Sequence, residues 1–95
     1  MNEKQKMLSP ELQVACEIYK HNIENKPIWF SKLCERFKND YDKSKVVSSI
    51  HTLSDWRILR YDYGETKRGM VGVIFTIDNY AIERISELYE IYYKE

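Results

Sequence analysis

Residues 43–59 read KSKVVSSIHTLSDWRIL, and two different periodicities meet within this stretch. Val46, Ile50 and Leu53 repeat at i, i+4 and i+7, the spacing that places apolar side chains on one face of an α-helix. From Leu59 onward, apolar and aromatic residues alternate with polar ones, as they do in a half-buried β-strand. The sequence therefore predicts a helix that runs to about residue 55 or 56 and passes almost directly into a strand.

Two further helices are predicted before this one. Ser9-Pro10-Glu11 is typical of a helix start, because serine caps, proline suits the first helical position and glutamate faces the positive end of the helix. Asn25-Lys26-Pro27 ends this first helix, and a short second helix follows an extended segment at about Phe30–Lys38. The apolar residues at helical spacing are Leu12, Ala15, Cys16, Tyr19 and Ile23 in the first helix, and Phe30, Leu33, Cys34 and Phe37 in the second.

A tight turn separates the second and third predicted helices. Residues 39–42 are polar, and Asp42 is a favourable cap for the helix that follows. A turn of three to four residues between two short helices is the spacing of a helix-turn-helix.

The chain downstream predicts a β-hairpin and a last helix. Leu59, Tyr61 and Tyr63 alternate with charged residues. Across a loop bounded by Gly64 and Gly69, a second alternation follows in which Val71, Val73, Phe75 and Ile77 are separated by Gly72, Ile74 and Thr76. Two strands joined by a short glycine-bearing loop make a hairpin. A final helix is predicted over Tyr80–Tyr93, capped by Asp78 or Asn79.

These elements predict an α+β fold of the winged helix-turn-helix type, with a three-helix core, a two-stranded β-wing and a C-terminal helix. We expect residues 1–8 to be a flexible N-terminal lead-in and residues 9–77 to form the winged helix-turn-helix domain. We expect residues 78–95 to form a C-terminal dimerisation helix packed on the same domain.

The net charge of zero conceals an uneven distribution. Residues 1–42 carry seven basic and seven acidic side chains, residues 43–68 carry six basic and three acidic ones, and residues 69–95 carry two basic and five acidic ones. A phosphate backbone needs a local positive face rather than a basic total. The positive block coincides with the third helix and the hairpin.

The outside of the third helix is the candidate recognition surface for double-stranded DNA. It has short side chains and no acidic residue before Asp55, so the helix can approach a groove closely; serine and threonine can bond to phosphates or to base edges. The predicted DNA-contacting residues are Lys43, Ser44, Lys45, Ser48, Ser49, Thr52, Arg57, Arg60, Lys67 and Arg68, the last two at the wing tip. An ordinary solvated helix face and a solubilising basic loop are the alternatives.

The last helix carries more apolar residues than one packing stripe requires. The surplus predicts a twofold dimer contact, although a tyrosine-rich surface is also tolerated in water. The predicted interface residues are Ala81, Ile82, Ile85, Leu88, Tyr89 and Tyr92.

Other functions receive little support from the sequence. No catalytic motif is present, so we expect the protein not to be an enzyme. Metal-ligand spacing is lacking at Cys16, Cys34, His21 and His51. We therefore expect no bound metal or cofactor, and we expect both cysteines to be reduced. No run of apolar residues is long enough for a membrane span or a signal region. We therefore expect a cytoplasmic protein.

Residues 44–59 resemble the recognition helix and first wing strand of winged-helix regulators, and Tyr63-Gly64-Glu65-Thr66-Lys67-Arg68-Gly69 resembles their wing. The chain is most similar to small archaeal single-domain members related to the MarR, ArsR and PadR groups, over about residues 9–93. The resemblance implies a homodimeric transcriptional regulator. Arg57 departs from the pattern, since these regulators usually have glycine there; a left-handed cap strains another residue by about 1 kcal/mol.

Two other functions remain open at this stage. A winged helix can serve as a protein-interaction module, which an apolar patch between the third helix and the wing would favour. It can also bind single strands or RNA, which exposure of Tyr61, Tyr63 or Trp29 would favour; core packing is the more common role of such aromatic residues, including Phe75 and Trp56.

Overall fold

The three-dimensional structure is a computed structural model that describes residues 3–65, 69 and 71–94. The helices are α1 (Glu3–Lys6), α2 (Pro10–Ile23), α3 (Phe30–Phe37), α4 (Lys43–Asp55) and α5 (Ile82–Tyr92). The strands are β1 (Leu59–Glu65) and β2 (Val71–Ile77), and a 3₁₀ turn at Asn79–Ala81 leads into α5. This order confirms the predicted α+β winged helix-turn-helix fold.

The predicted helix caps are present. The Ser9 hydroxyl accepts the Leu12 N–H at 3.3 Å with Pro10 at the start of α2, and Asp42 accepts the Lys45 N–H at 2.8 Å. Asp78 caps the 3₁₀ turn by accepting the Tyr80 N–H at 3.2 Å. Each cap satisfies a backbone donor that lacks an intrahelical partner.

Helix α2 lies at the centre of the fold and contacts α4, α5 and β2. Its middle is therefore buried all round: residues 13–18 are all buried, including Val14 and Ile18 outside the predicted stripe. Ile23, which the stripe placed in the core, is 52% exposed because it lies at the end of the helix. A single-stripe prediction fails for a helix that is enclosed on several sides.

The hairpin pairs β1 with β2 antiparallel, with Leu59 opposite Ile77 and Tyr61 opposite Phe75. The extended segment before α3 joins its outer edge, since Trp29 forms a bridge with Ile74 and the Phe75 N–H donates to the Ile28 carbonyl at 3.2 Å. This edge of β2 is thus attached to the helical core.

Asn22, near the end of α2, completes the same edge. Its amide nitrogen donates to the Phe75 carbonyl at 3.3 Å, and its amide oxygen accepts the Ile77 N–H at 2.9 Å. The side chain substitutes for one residue of a neighbouring strand and fixes the hairpin against α2.

The N-terminal segment is more closely attached than a flexible lead-in. Residues 3–6 form a helical turn, Leu8 is buried in the core, and the Gln13 side chain donates to the Leu8 carbonyl at 2.8 Å. The packed part of the domain therefore begins before residue 9.

Helix α5 uses most of its apolar residues within the same chain. Ala81 and Ile85 are buried in the core, so the prediction that they form a dimer interface is wrong. Leu88, Tyr89 and Tyr92 are partly buried against that core, and only Ile82 of the predicted interface residues is exposed.

Tyrosine contacts account for the apparent surplus on α5. The Tyr89 ring lies 5.3 Å from Tyr19 and 5.9 Å from Tyr93 between centroids, and the Tyr93 hydroxyl donates to the Gln13 carbonyl at 3.1 Å. Packing against α2 thus occupies residues that the sequence suggested were available for a partner.

Candidate nucleic-acid interface

The solvent side of α4 carries a shallow depression that we call the α4 outer face. It is formed by Lys43, Ser44, Val47, Ser48, His51 and Thr52. Among the predicted DNA-contacting residues, Lys43, Ser44 and Ser48 are exposed, and Lys45 and Thr52 are half-buried. The sequence contains no acidic residue from Lys43 to Ser54, so this face carries no negative side chain along its first three turns.

Local contacts hold the polar residues of this face in place. The Lys43 ammonium lies 5.7 Å from the centroid of the Phe30 ring, and the Ser48 hydroxyl donates to the Lys45 carbonyl at 3.1 Å. The Asp42 cap fixes the first turn. The first turn thus carries two lysines whose charge can attract phosphate, while the exposed Asp42 carboxylate offsets part of the positive end of the helix.

Ser49 is not part of the interface, and its prediction as a DNA contact is wrong. The side chain is 1% exposed, and among the described residues its hydroxyl has no hydrogen-bond partner. Ser49 lies three residues after Val46 and four before Leu53, so it shares their buried face of the helix. Because serine is polar, this core position resembles a surface position in the sequence.

Val47 and His51 are surface residues that the sequence reasoning missed. His51 is exposed, and Val47 is partly exposed on the side of α4 that faces the hairpin. In the sequence Val47 widens the apolar stripe of the helix, and His51 lacks metal-ligand spacing. The helical spacing of Ser44, Ser48 and His51 opposite the core stripe was the signal that could have found the latter.

Arg57 terminates α4 in the left-handed conformation, with φ of 59°. Its N–H donates to the Ser54 carbonyl and the Ile58 N–H donates to the Leu53 carbonyl, both at 3.0 Å. These two bonds define a Schellman motif, whose left-handed position favours glycine. An exposed arginine therefore occupies the strained position at this helix end.

The hairpin places one further predicted residue at the surface. Arg60 is exposed, and its Nε lies 3.8 Å from an Asp62 carboxylate oxygen, an exposed and therefore weak pair. Lys67 and Arg68, the predicted wing-tip contacts, lie outside the described residues.

An apolar groove lies between α4 and the hairpin. Phe30, Val47, Tyr61, Val73 and Phe75 line it, together with Ile50 and His51, around a cavity of about 190 Å³. The Tyr61 hydroxyl lies 2.6 Å from the Ser54 hydroxyl, which connects the groove to α4. Apolar surface therefore separates the lysines of α4 from the hairpin.

Exposure of the aromatic residues differs from the core packing that the sequence favoured. Phe75 is buried as expected, but Tyr61 is 46% exposed, Tyr63 is 76% exposed and Trp56 is 54% exposed. These three aromatic side chains are therefore accessible to solvent rather than enclosed in the core. Trp29 is half-buried, and its ring lies 3.3 Å from the position a Cβ would occupy at Gly64.

Burial favours the protonated form of both cysteine thiols. Burial raises the pKa of the Cys16 thiol to about 12, assisted by the adjacent Glu17 carboxylate. Desolvation also raises the pKa of Cys34, which is half-buried with Lys43 nearby acting in the opposite direction. Both cysteines are free thiols.

The described residues contain neither a metal-binding cluster nor a membrane-spanning helix. Across residues 3–65, 69 and 71–94, no three histidine, cysteine or acidic side chains are grouped closely enough to hold a metal ion. Within the same residues, no helix combines the length and the apolar character needed to cross a membrane.

The fold has a counterpart among solved structures. The crystal structure of the circadian clock associated protein Pex from Anabaena is similar to the chain with a TM-score of 0.62 and 13% sequence identity, covering 90% of this chain and 77% of that one. No protein-family model and no curated protein matches the sequence. The likeness supports the winged-helix fold, while the narrower grouping with archaeal MarR, ArsR or PadR regulators stays a prediction.

Proposed function

We propose that the protein binds double-stranded DNA as a transcriptional regulator, with α4 in the major groove and the hairpin against the backbone or minor groove. The observation that carries the proposal is the α4 outer face. It combines Lys43, with Lys45 beside it in the first turn, with short hydroxyl side chains, and the helix contains no acidic residue from Lys43 to Ser54. A recognition helix requires these features, because its backbone must approach base edges without repelling phosphates.

The position of the basic side chains supports this use of the surface. Lys43 and Lys45 lie at the start of α4, Arg57 lies at its end, and Arg60 lies on β1. Phosphate contacts position a protein on the duplex, whereas base contacts select the sequence. The basic side chains would supply the former, and the centre of α4 the latter.

The adjacent serines of α4 provide a matched test. We expect Ser48→Ala to weaken binding to a selected duplex severalfold, because an exposed hydroxyl on the outer face is lost. Ser49→Ala changes the same atoms one residue away, and we expect unchanged affinity because that hydroxyl is buried.

Fluorescence anisotropy with a salt titration measures both variants. Affinity that falls with salt is expected, because phosphate binding releases counterions. An absence of binding to random-pool duplexes at low salt would contradict the proposed function. Equal effects of the two substitutions would contradict the placement of α4 in the groove.

We further propose that the DNA-bound form is a homodimer whose two recognition helices enter major grooves about 34 Å apart. An exposed apolar cluster supports self-association: Trp56, Tyr80 and Ile82 are 54%, 65% and 40% exposed, and the Tyr80 hydroxyl donates to the Trp56 carbonyl. We expect Ile82→Lys to abolish dimers in sedimentation equilibrium. Ile91→Lys is the control, since Ile91 is also exposed but lies on the opposite side of α5.

A protein-interaction module is the second candidate, favoured by the apolar groove between α4 and the hairpin. Val73→Glu at the groove would then abolish partner binding. If the protein binds DNA as proposed, we expect Lys45→Glu to abolish duplex binding by placing a negative charge near the phosphates.

Single-stranded DNA of the same sequence is the competitor that tests the exposed tyrosines, since stacking of bases on Tyr63 would favour the single strand.

A further inference from the structure

The centre of the α4 outer face is chemically distinct from its ends. Lys43 lies at the first turn and Asp55 at the last, whereas Val47 and His51 lie between them on the side toward the hairpin. Their neighbours on this face, Ser44 and Ser48, are short. An aliphatic group and an imidazole therefore stand out from a surface that a duplex could approach closely.

The two side chains have complementary recognition chemistry. A branched aliphatic side chain fits the C5-methyl of thymine, which is the apolar group in the major groove. An imidazole N–H can donate to N7, an acceptor that both purines present there. A serine hydroxyl can also donate to N7, but it accepts equally well and therefore discriminates less, and serine offers no branched apolar group to a methyl.

We propose that Val47 contacts a thymine methyl and that His51 donates to a purine N7, so that this pair selects bases within each half-site. The inference rests on the proposed DNA-binding function and adds the identity of the groups that are read. Residues four apart rise about 6 Å along a helix, comparable to about two base-pair steps of 3.4 Å. The thymine and the purine are therefore expected about two steps apart.

Deoxyuridine substitution tests the Val47 contact directly, because deoxyuridine differs from thymidine only by the C5-methyl. In a duplex selected from a random pool, we expect one position at which replacing thymidine by deoxyuridine weakens binding about fourfold. This is the effect of losing one methyl group that the complex buries. Val47→Ala should remove this penalty at that position. Ile91→Ala, a control that removes an exposed aliphatic side chain on α5, outside both the α4 outer face and the groove, should retain it.

7-Deazapurine substitution tests the His51 contact in the same duplex. At one purine position, 7-deazapurine should weaken binding of the unsubstituted protein and should leave binding of His51→Ala unchanged. His51→Gln should restore part of the penalty, because its amide nitrogen can also donate. Circular dichroism of each variant confirms that α4 remains folded.

The outcomes separate this inference from the function on which it rests. Selected duplexes that bind normally, but show no penalty dependent on Val47 or His51, would overturn the inference and leave DNA binding established. An absence of duplex binding by the unmodified protein would overturn both. A penalty that disappears only in the matching variant supports the assignment.

Discussion

Among single residues, Arg57 and Asn25 both adopt the left-handed backbone conformation that favours glycine. Arg57 has φ of 59°, and Asn25 has φ of 55° at the equivalent position after α2. Asparagine tolerates this region better than arginine, because its short polar side chain can bond locally. The arginine position therefore carries the larger conformational cost.

We expect Arg57→Gly to raise the free energy of unfolding by about 0.5–1 kcal/mol, because glycine adopts positive φ without strain. If Arg57 contacts phosphate, the same substitution weakens DNA binding and lowers the salt slope by about 1. Chemical denaturation and anisotropy measure the two effects. Asn25→Gly is the control, with a smaller gain in stability and no change in DNA affinity.

The buried thiol of Cys16 predicts a loss of stability in alkali. Its folded pKa is about 12 against 9.0 as the ordinary value, so its contribution is complete below pH 9 and is lost as the pH rises through 12. Between these values the unfolded chain releases a proton that the folded chain retains. The free energy of unfolding should therefore fall by about 1.4 kcal/mol per pH unit from this group.

Urea unfolding at several pH values measures this slope. In Cys16→Ala the slope above pH 9 should be shallower by one proton, whereas Cys34→Ala should keep the Cys16 contribution. A slope that is unchanged in Cys16→Ala would show that other groups, such as Tyr93 with its raised pKa, account for the alkaline loss.

At the scale of elements, the attachment of the hairpin to α2 depends on one amide. Asn22 bonds both the Phe75 carbonyl and the Ile77 N–H, neither of which has a strand partner on that side among the described contacts. Removing the amide leaves two backbone groups in a part-buried edge without their partner, at about 1–3 kcal/mol for each unsatisfied buried group.

We expect Asn22→Ala to lower the free energy of unfolding by about 2 kcal/mol. Hydrogen exchange should show faster exchange of the Ile77 amide in particular, because that amide loses its acceptor. Asn39→Ala, which alters an exposed asparagine in the turn before α4, should leave both measurements unchanged. Unaltered protection of the Ile77 amide in Asn22→Ala would contradict the assigned role.

At the scale of the whole molecule, the charge distribution makes salt dependence informative about stoichiometry. Residues 43–68 contain six basic side chains. If all six contact phosphates, the slope of log K against log salt is about −5 for one protomer, and twice that for a dimer. A slope well beyond −5, measured together with sedimentation, would support two protomers on one site, and a slope near zero would contradict phosphate binding.

The local elements of this protein could be predicted from short-range patterns in the sequence. Caps such as Asp42, the apolar period of α4 and the alternation after Leu59 act over a few residues, so the element order and the bounds of α4 could be predicted. The winged-helix class follows from that order. Part of the candidate site follows as well, since Lys43 and Ser48 lie where the pattern placed them.

Which surface each side chain meets depends on how the elements pack. Ser49 is buried because α4 turns that side toward the core, whereas Tyr63 is exposed although it alternates in phase with the buried Leu59 on the same strand. Ile85 is covered by the same chain rather than by a partner, since α5 packs against the central helix α2. Burial depends on neighbours distant in sequence, and periodicity within one element carries no information about them.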